Sequence, residues 1–219
     1  MSRRIADLLI DLDGTLVDPA EGIVGSLRYA LAALEADVPE TDDLLWTIGP
    51  PLRASFERLL GGPERVETAV RVYRERYAAW GLRRAAVYPG AAEALAALRA
   101  DGARLRICTS KMTAFAEQVV AHFGLAEHFD GVHGAEADGR FDDKGELVGH
   151  LLEGLGLDPE RTCMVGDRRH DVEAAARHGV PAIGALWGYG GEAELTAAGA
   201  AALCARPADL PRVSADLSR

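Results

Sequence analysis

The stretch Ile5-Ala6-Asp7-Leu8-Leu9-Ile10-Asp11-Leu12-Asp13-Gly14-Thr15 decides how the chain folds. Residues 5–12 form a short apolar run of the kind that builds a strand buried on both faces. The run stops on two carboxylates, a glycine and a hydroxyl. Similar apolar segments recur at 103–109, Thr162–Gly166 and 180–187. Between them, Ala91–Ala100, 113–123, Lys144–Leu155 and 171–178 carry apolar residues at three-to-four spacing. Gly102, Gly124, Gly156 and Gly179 stand where helices end on a left-handed residue. This alternation predicts an α/β fold, a Rossmann-like parallel sheet covered by helices on both faces.

Residues 18–87 break the rhythm. Helical patterns follow one another at 20–36, Leu52–Leu60 and 64–80, with no strand pattern between them. Pro19, Pro51 and Pro63 sit near the expected helix starts, and Pro89-Gly90 marks the return to alternation. The expected organisation is therefore a core domain of 1–17 and 88–219 with an inserted all-helical domain of 18–87.

Composition narrows the partners. The chain has 219 residues, 48% of them hydrophobic, enough for a substantial core. Its apolar runs are too short to span a bilayer, and Met1-Ser2-Arg3-Arg4 leads to Asp7 and Asp11 where a secretory segment would be apolar. A cytoplasmic protein without a membrane partner is expected, as monomer or homodimer. Cys108, Cys163 and Cys204 are odd in number and widely spaced, which favours free thiols packed in strands. A net charge of −10 offers no cationic surplus for a nucleic-acid polymer, though small anions need only local positive charge.

In open parallel sheets, ligands bind beyond the carboxyl ends of the strands, near the switch in strand order. The segments expected there are Asp11-Leu12-Asp13-Gly14-Thr15, Thr109-Ser110-Lys111 and Gly166-Asp167, the last followed by Asp171; Lys144 opens a helix nearby. An Asp11 carboxylate can attack phosphorus, giving an aspartyl-phosphate. Asp13 can protonate the departing alkoxide and later take a proton from water. Clustered carboxylates would repel a phosphate unless a hard cation such as Mg²⁺ sits among them, with Asp11 and Asp167 as side-chain ligands. Thr109 and Ser110 can donate to the phosphoryl oxygens, and Lys144 adds positive charge. Each motif alone has a plainer account: Asp-x-Asp is a common turn, and Thr109-Ser110 an ordinary helix cap. Their joint occurrence in order is the specific signal. His170 lies between Asp167 and Asp171, but the six histidines show no metal-binding spacing.

The strings Asp11-Leu-Asp-Gly-Thr-Leu-Val-Asp18, Thr109-Ser-Lys111, Lys144 and Gly166-Asp-Arg-Arg-His-Asp171 resemble, in order and spacing, the four motifs of haloacid dehalogenase-like hydrolases. The helical insertion resembles that family's cap, and the general pattern is that of phosphoglycolate phosphatases. Ile48-Gly49-Pro50-Pro51-Leu52 and Trp187-Gly-Tyr-Gly190 look more like the bacterial 5′-nucleotidase branch. The resemblance implies Asp11 as nucleophile, Asp13 as acid and base, and Thr109 and Lys144 as catalytic partners. It implies Mg²⁺ on the Asp11 carboxylate, the Asp13 carbonyl and Asp167, with Asp171 supporting. The implied activity is a Mg²⁺-dependent phosphatase for a small phosphorylated metabolite, a nucleoside 5′-monophosphate or phosphoglycolate. A sugar phosphomutase and a non-catalytic binding module are the alternatives. Ser110 departs from the pattern, since relatives often carry Asn there. Ser110, Lys111, Gly49, Leu52 and Arg53 are the expected substrate contacts, with Tyr189 a further candidate.

Of 24 basic residues only Lys111 and Lys144 are lysines, and both fall in these motifs. Arginine replaces lysine everywhere else, so these two places call for a compact ammonium. Lys111, just past Thr109-Ser110, is expected near the substrate entrance.

Overall fold

The computed structural model describes residues 4–217; the basic start Met1-Ser2-Arg3, weighed above against a secretory segment, lies outside them. In chain order the elements are β1 (Asp7–Ile10), β2 (Val17–Asp18), α1 (Ala20–Ala33), α2 (Leu52–Leu60), α3 (Val66–Ala79), β3 (Ala86–Val87) and α4 (Ala91–Ala100). There follow β4 (Arg104–Met112), α5 (Thr113–His122), β5 (Gly131–Ala135), α6 (Lys144–Leu155), β6 (Thr162–Gly166) and α7 (Arg169–Ala176). The chain closes with β7 (Ala182–Ala185), α8 (Gly191–Ala197), β8 (Ala202–Cys204) and α9 (Leu210–Leu217).

Six strands form one parallel sheet in the order β5-β4-β1-β6-β7-β8. β1 lies inside it, with Ile10 registered against Ile107 on one side and Val165 on the other. Side chains alternate between faces along a strand. Leu8 and Ile10 accordingly join the apolar cluster with Leu95 of α4, Val119 of α5 and Leu210 of α9. Leu9 points the other way, among Leu147 and Leu151 of α6 and Val172 of α7. Both faces are thus covered, which is why Leu8, Leu9 and Ile10 follow one another without polar alternation.

Leu52–Leu60, Ala91–Ala100 and Lys144–Leu155 are helices with the expected bounds. Gly102, Gly124, Gly156 and Gly179 all have positive φ, as helix-ending glycines should. The cysteines are free and buried, in β4, β6 and β8. Two differences stand out. β5 and β8, at the sheet margins, are only partly buried and lack the apolar run that marks a central strand. The segment expected to be free of strands is rooted in a two-stranded stem, where Val17 pairs antiparallel with Val87 and Asp18 with Ala86. Helices α1, α2 and α3 lie between those two strands in the chain, and Phe56, Tyr73 and Tyr77 are buried among them.

Candidate functional site

Strand order reverses at β1, because the chain places β4 on one side of it and β6 on the other. The carboxyl ends of these three strands converge there. Asp11 still follows the sheet, its amide donating to the Val165 carbonyl at 2.9 Å. The chain then turns sharply: the amides of Leu16 and Val17 both donate to the Leu12 carbonyl, at 2.9 and 3.1 Å. Gly14 sits in this turn at φ +85°, and a Cβ there would lie 2.3 Å from Asp167 Oδ2. Glycine is therefore required both by the backbone and by the approach of Asp167.

Asp167 is held by the Thr15 hydroxyl at 3.2 Å and the Tyr189 amide at 2.8 Å. Asp171 accepts from Lys144 Nζ at 2.5 Å and from the Arg168 amide at 3.1 Å. Lys144 opens α6, whose N-cap Asp143 accepts from the Gly145 amide. Its ammonium also lies 3.1 Å from Asp11 Oδ1. One oxygen from each of Asp11, Asp167 and Asp171 falls within 4.8 Å of the others, and all three residues are buried.

Burial sets the charge state of this cluster. Removal from water pushes Asp167 up to about 8, with the nearby Asp171 and Asp11 adding to the rise. Asp171 is also raised, first by burial, with Lys144 opposing. For Lys144 burial works against the charge, but Asp11 and Asp171 outweigh it and hold the ammonium protonated. Asp13 is raised by burial against the pull of Lys111. Asp13 Oδ1 and Ser110 Oγ are buried without a hydrogen-bond partner, and Asp11 Oδ1 has only its ion pair with Lys144. Buried polar atoms are normally satisfied, so this concentration of unmet acceptors and a donor marks a place made for a bound group. The all-oxygen donors Asp11, Asp167 and Asp171, desolvated and close together, fit a hard divalent cation.

A cavity opens above Asp11 and Asp13, between the sheet edge and the inserted helices. Thr109, Ser110 and Lys111 line it, as do Gly49, Leu52 and Arg53, so the expected contact residues do come together. Lys111 is a correction: it is no entrance residue but a buried one, its ammonium bonded to Asp13 Oδ2 and set 4.8 Å over the Tyr77 ring. Tyr189 is another. Its side chain turns to Asp18, and its contribution to the site is the backbone amide on Asp167. His170 lines a second cavity beside Lys144 and does not join the Asp11, Asp167 and Asp171 oxygens that cluster at the cation position.

Sequence reasoning missed several residues. Tyr73, Tyr77 and Phe115 line the cavity, but their helical spacing makes them look like plain core. Arg168 spans from the Asp167 loop to the insertion, donating to the Ile48 and Trp46 carbonyls and to Glu194. Gly49 makes room for it, since a Cβ there would lie 2.7 Å from Arg168 Cγ. Only the proximity of Arg168 to Asp167 hinted at a role.

The profile of haloacid dehalogenase-like hydrolases matches residues 8–185, most of the chain and all four motif segments. The chain belongs to that family. A 5′-nucleotidase of Pseudomonas aeruginosa is 43% identical over 211 residues, covering 96% of each chain. The tyrosine-protein kinase PtkA of Mycobacterium tuberculosis is 42% identical over 183 residues, 84% of this chain and 62% of that one. Among solved structures, one described as a predicted phosphatase from Clostridium acetobutylicum superposes with a TM-score of 0.91 at 33% identity, covering 98% of both chains. Within the haloacid dehalogenase-like hydrolases this chain is a phosphoric monoester hydrolase. Among the described residues, no helix is long and apolar enough to cross a membrane.

Proposed function

We propose that the protein is a Mg²⁺-dependent phosphatase that cleaves a small phosphomonoester through an aspartyl-phosphate on Asp11, with a nucleoside 5′-monophosphate as the first substrate class and phosphoglycolate as the second. One observation carries the reading: Asp11, Asp13, Thr109 and Ser110 line one cavity, and the Lys144 ammonium lies 3.1 Å from Asp11 Oδ1. A nucleophile, a proton carrier and hydrogen-bond donors for the phosphoryl oxygens thus line one space. The nucleotide class is supported by the name of the Pseudomonas aeruginosa relative.

Asp11 attacks phosphorus, and the bond to the leaving oxygen breaks as Asp13 gives that oxygen its proton. Water then attacks the same phosphorus while Asp13 takes a proton from it, and the bond between phosphorus and the Asp11 oxygen breaks, which restores the Asp11 carboxylate and frees inorganic phosphate. Lys144 holds Asp11 in place and faces the charge on the phosphoryl oxygens; Thr109 and Ser110 orient those oxygens. Mg²⁺ held by the Asp11 and Asp167 carboxylates and the Asp13 carbonyl, with Asp171 supporting, would offset the repulsion between carboxylate and phosphate.

The test is release of inorganic phosphate from p-nitrophenyl phosphate and from a nucleoside 5′-monophosphate. Turnover is expected with Mg²⁺, lost in EDTA, restored by Mg²⁺, and abolished in Asp11→Asn. Full activity in chelator removes the metal from the proposal, and an active Asp11→Asn variant removes the nucleophile. The same assay identifies the acceptor: free phosphate marks water, and a phosphorylated product without it marks a transferase such as a phosphomutase.

A further inference from the structure

We infer that the cavity beyond the phosphate end selects an uncharged leaving group with an apolar body, and that the ion-paired clamp of Arg53, Glu67 and Asp142 enforces that choice. The inference rests on the phosphatase reading above and specifies its substrate class.

A phosphatase pocket built for a carboxylated substrate needs a free cation away from the phosphate. Among the described residues lining the cavity, each candidate already has a partner. Arg53 reaches into the cavity from α2, yet its Nε donates to Glu67 at 2.6 Å and its Nη1 to Asp142 at 2.8 Å. A further nitrogen contact of Arg53 goes to the Ala137 carbonyl at 3.3 Å. Arg74, the neighbouring guanidinium, donates to the same carbonyl at 3.1 Å and lies within electrostatic reach of the same two carboxylates. Two guanidiniums therefore face two carboxylates. Lys111 belongs to the phosphate end, where it serves Asp13.

An anionic leaving group entering this space would meet the Asp142 carboxylate and an Arg53 already engaged by Asp142 and, from outside the cavity, by Glu67. That encounter costs binding that a neutral group does not lose. What the cavity offers instead is apolar area. Tyr73 and Tyr77 stack at 5.6 Å with planes 10° apart, and Phe115 of the core lies 5.3 Å from Tyr77. Leu52 and Ile23 extend the wall. With Tyr73 stacked on Tyr77 and Lys111 over the Tyr77 ring, it is the ring edges and aliphatic side chains that form this wall, and such a surface suits an uncharged, apolar body better than a second anion. A nucleoside 5′-monophosphate has a neutral sugar and base beyond its phosphate. 2-Phosphoglycolate carries a carboxylate at that place.

Glu67 tests the device without touching the catalytic end, because its side chain is 71% exposed and stands outside the cavity lining. Steady-state kinetics with Mg²⁺ on the full chain would compare a nucleoside 5′-monophosphate, 2-phosphoglycolate and p-nitrophenyl phosphate. The wild type is expected to favour the nucleotide over phosphoglycolate by at least about 100-fold in kcat/KM, the scale of a built-in charge mismatch. Glu67→Gln removes one negative charge from the clamp. It should raise the kcat/KM ratio of phosphoglycolate to p-nitrophenyl phosphate at least about tenfold, chiefly through KM. A wild type that prefers phosphoglycolate, or a ratio unmoved in Glu67→Gln while p-nitrophenyl phosphate is turned over, overturns the inference and leaves the phosphatase reading standing. A wild type that hydrolyses none of the three overturns both.

Discussion

At Lys144 and Lys111 the rarity of lysine has a structural reason in each case. Lys144 Nζ fits between Asp11 Oδ1 at 3.1 Å and Asp171 Oδ1 at 2.5 Å, with only 4% of its side chain exposed. A guanidinium is wider and donates in a fixed fork, so it cannot occupy that gap without moving a carboxylate. Lys144→Arg keeps the charge and should still lower kcat/KM at least roughly 100-fold, the scale of one lost electrostatic contact in a buried site. Steady-state kinetics beside a melting curve check it, and near-normal activity would show that charge alone suffices. Lys111 has a different task, because it bonds Asp13 and not the outer substrate. Without it, burial would hold the Asp13 proton more tightly, so Asp13 would give it less readily to the leaving oxygen. Lys111→Met should reduce kcat by about 100-fold with little change in KM, and no phosphoenzyme should accumulate on acid quench, because its formation is the slowed step. A change confined to KM would return Lys111 to the substrate entrance.

The turn after β1 is the element on which the site depends most. Gly14 lets the chain reverse at φ +85° and leaves Asp167 the space a Cβ would take. Gly14→Ala imposes roughly 1–2 kcal/mol of left-handed backbone strain and displaces Asp167. The Mg²⁺ concentration for half activity should rise about tenfold or more, as is usual when a ligand's support is lost. A magnesium titration measures this, and an unchanged midpoint would detach the turn from the metal. Such elements differ in how plainly the amino-acid order announces them. Asp11, Asp13, Lys144 and Asp167 lie at the ends of strands or helices whose periodicity is strong, so both elements and residues can be located. The inserted helices are legible for the same reason. β2 and β3 are not, because two residues each give no periodicity and their pairing joins positions 17 and 87. Arg168 and the Arg53 clamp were illegible as contacts: each joins segments far apart in the chain, and no local pattern encodes which carboxylate or carbonyl an arginine will find. Arg53 was located only as a candidate on the inserted helix.

Across the whole molecule, the site imposes a cost on the fold that a cation should relieve. Asp167 has an ordinary value of 3.8 and is pushed up to about 8 in the native protein, and Asp171 is raised in the same direction. Between those values the native state binds more protons than the unfolded chain, so native stability falls as pH rises through the window. The contribution is fully present below about 4 and is lost once pH passes about 8. Other groups act oppositely. Burial lowers His133 and His170 below 6.5, and Asp143, Glu194 and Asp209 lie below their ordinary acidic values, so these residues favour the fold as pH rises through the acid range. Their effects are complete by about neutrality, which leaves pH 7 to 8.5 as the window in which Asp167 dominates. In EDTA the melting temperature should decline across that window. Bound Mg²⁺ requires the ionised carboxylates, so its affinity should rise over the same interval. At 100 times its dissociation constant a ligand adds about 2.7 kcal/mol, which for a chain of this size is roughly 5–10 °C. The Mg²⁺-induced rise in melting temperature should thus be several degrees at pH 8 and clearly smaller at pH 6. Differential scanning calorimetry in the two buffers, with and without Mg²⁺, gives all four values. An equal rise at both pH values would mean that the carboxylate cluster is already ionised without metal, and that the cation is held elsewhere or by less strained ligands.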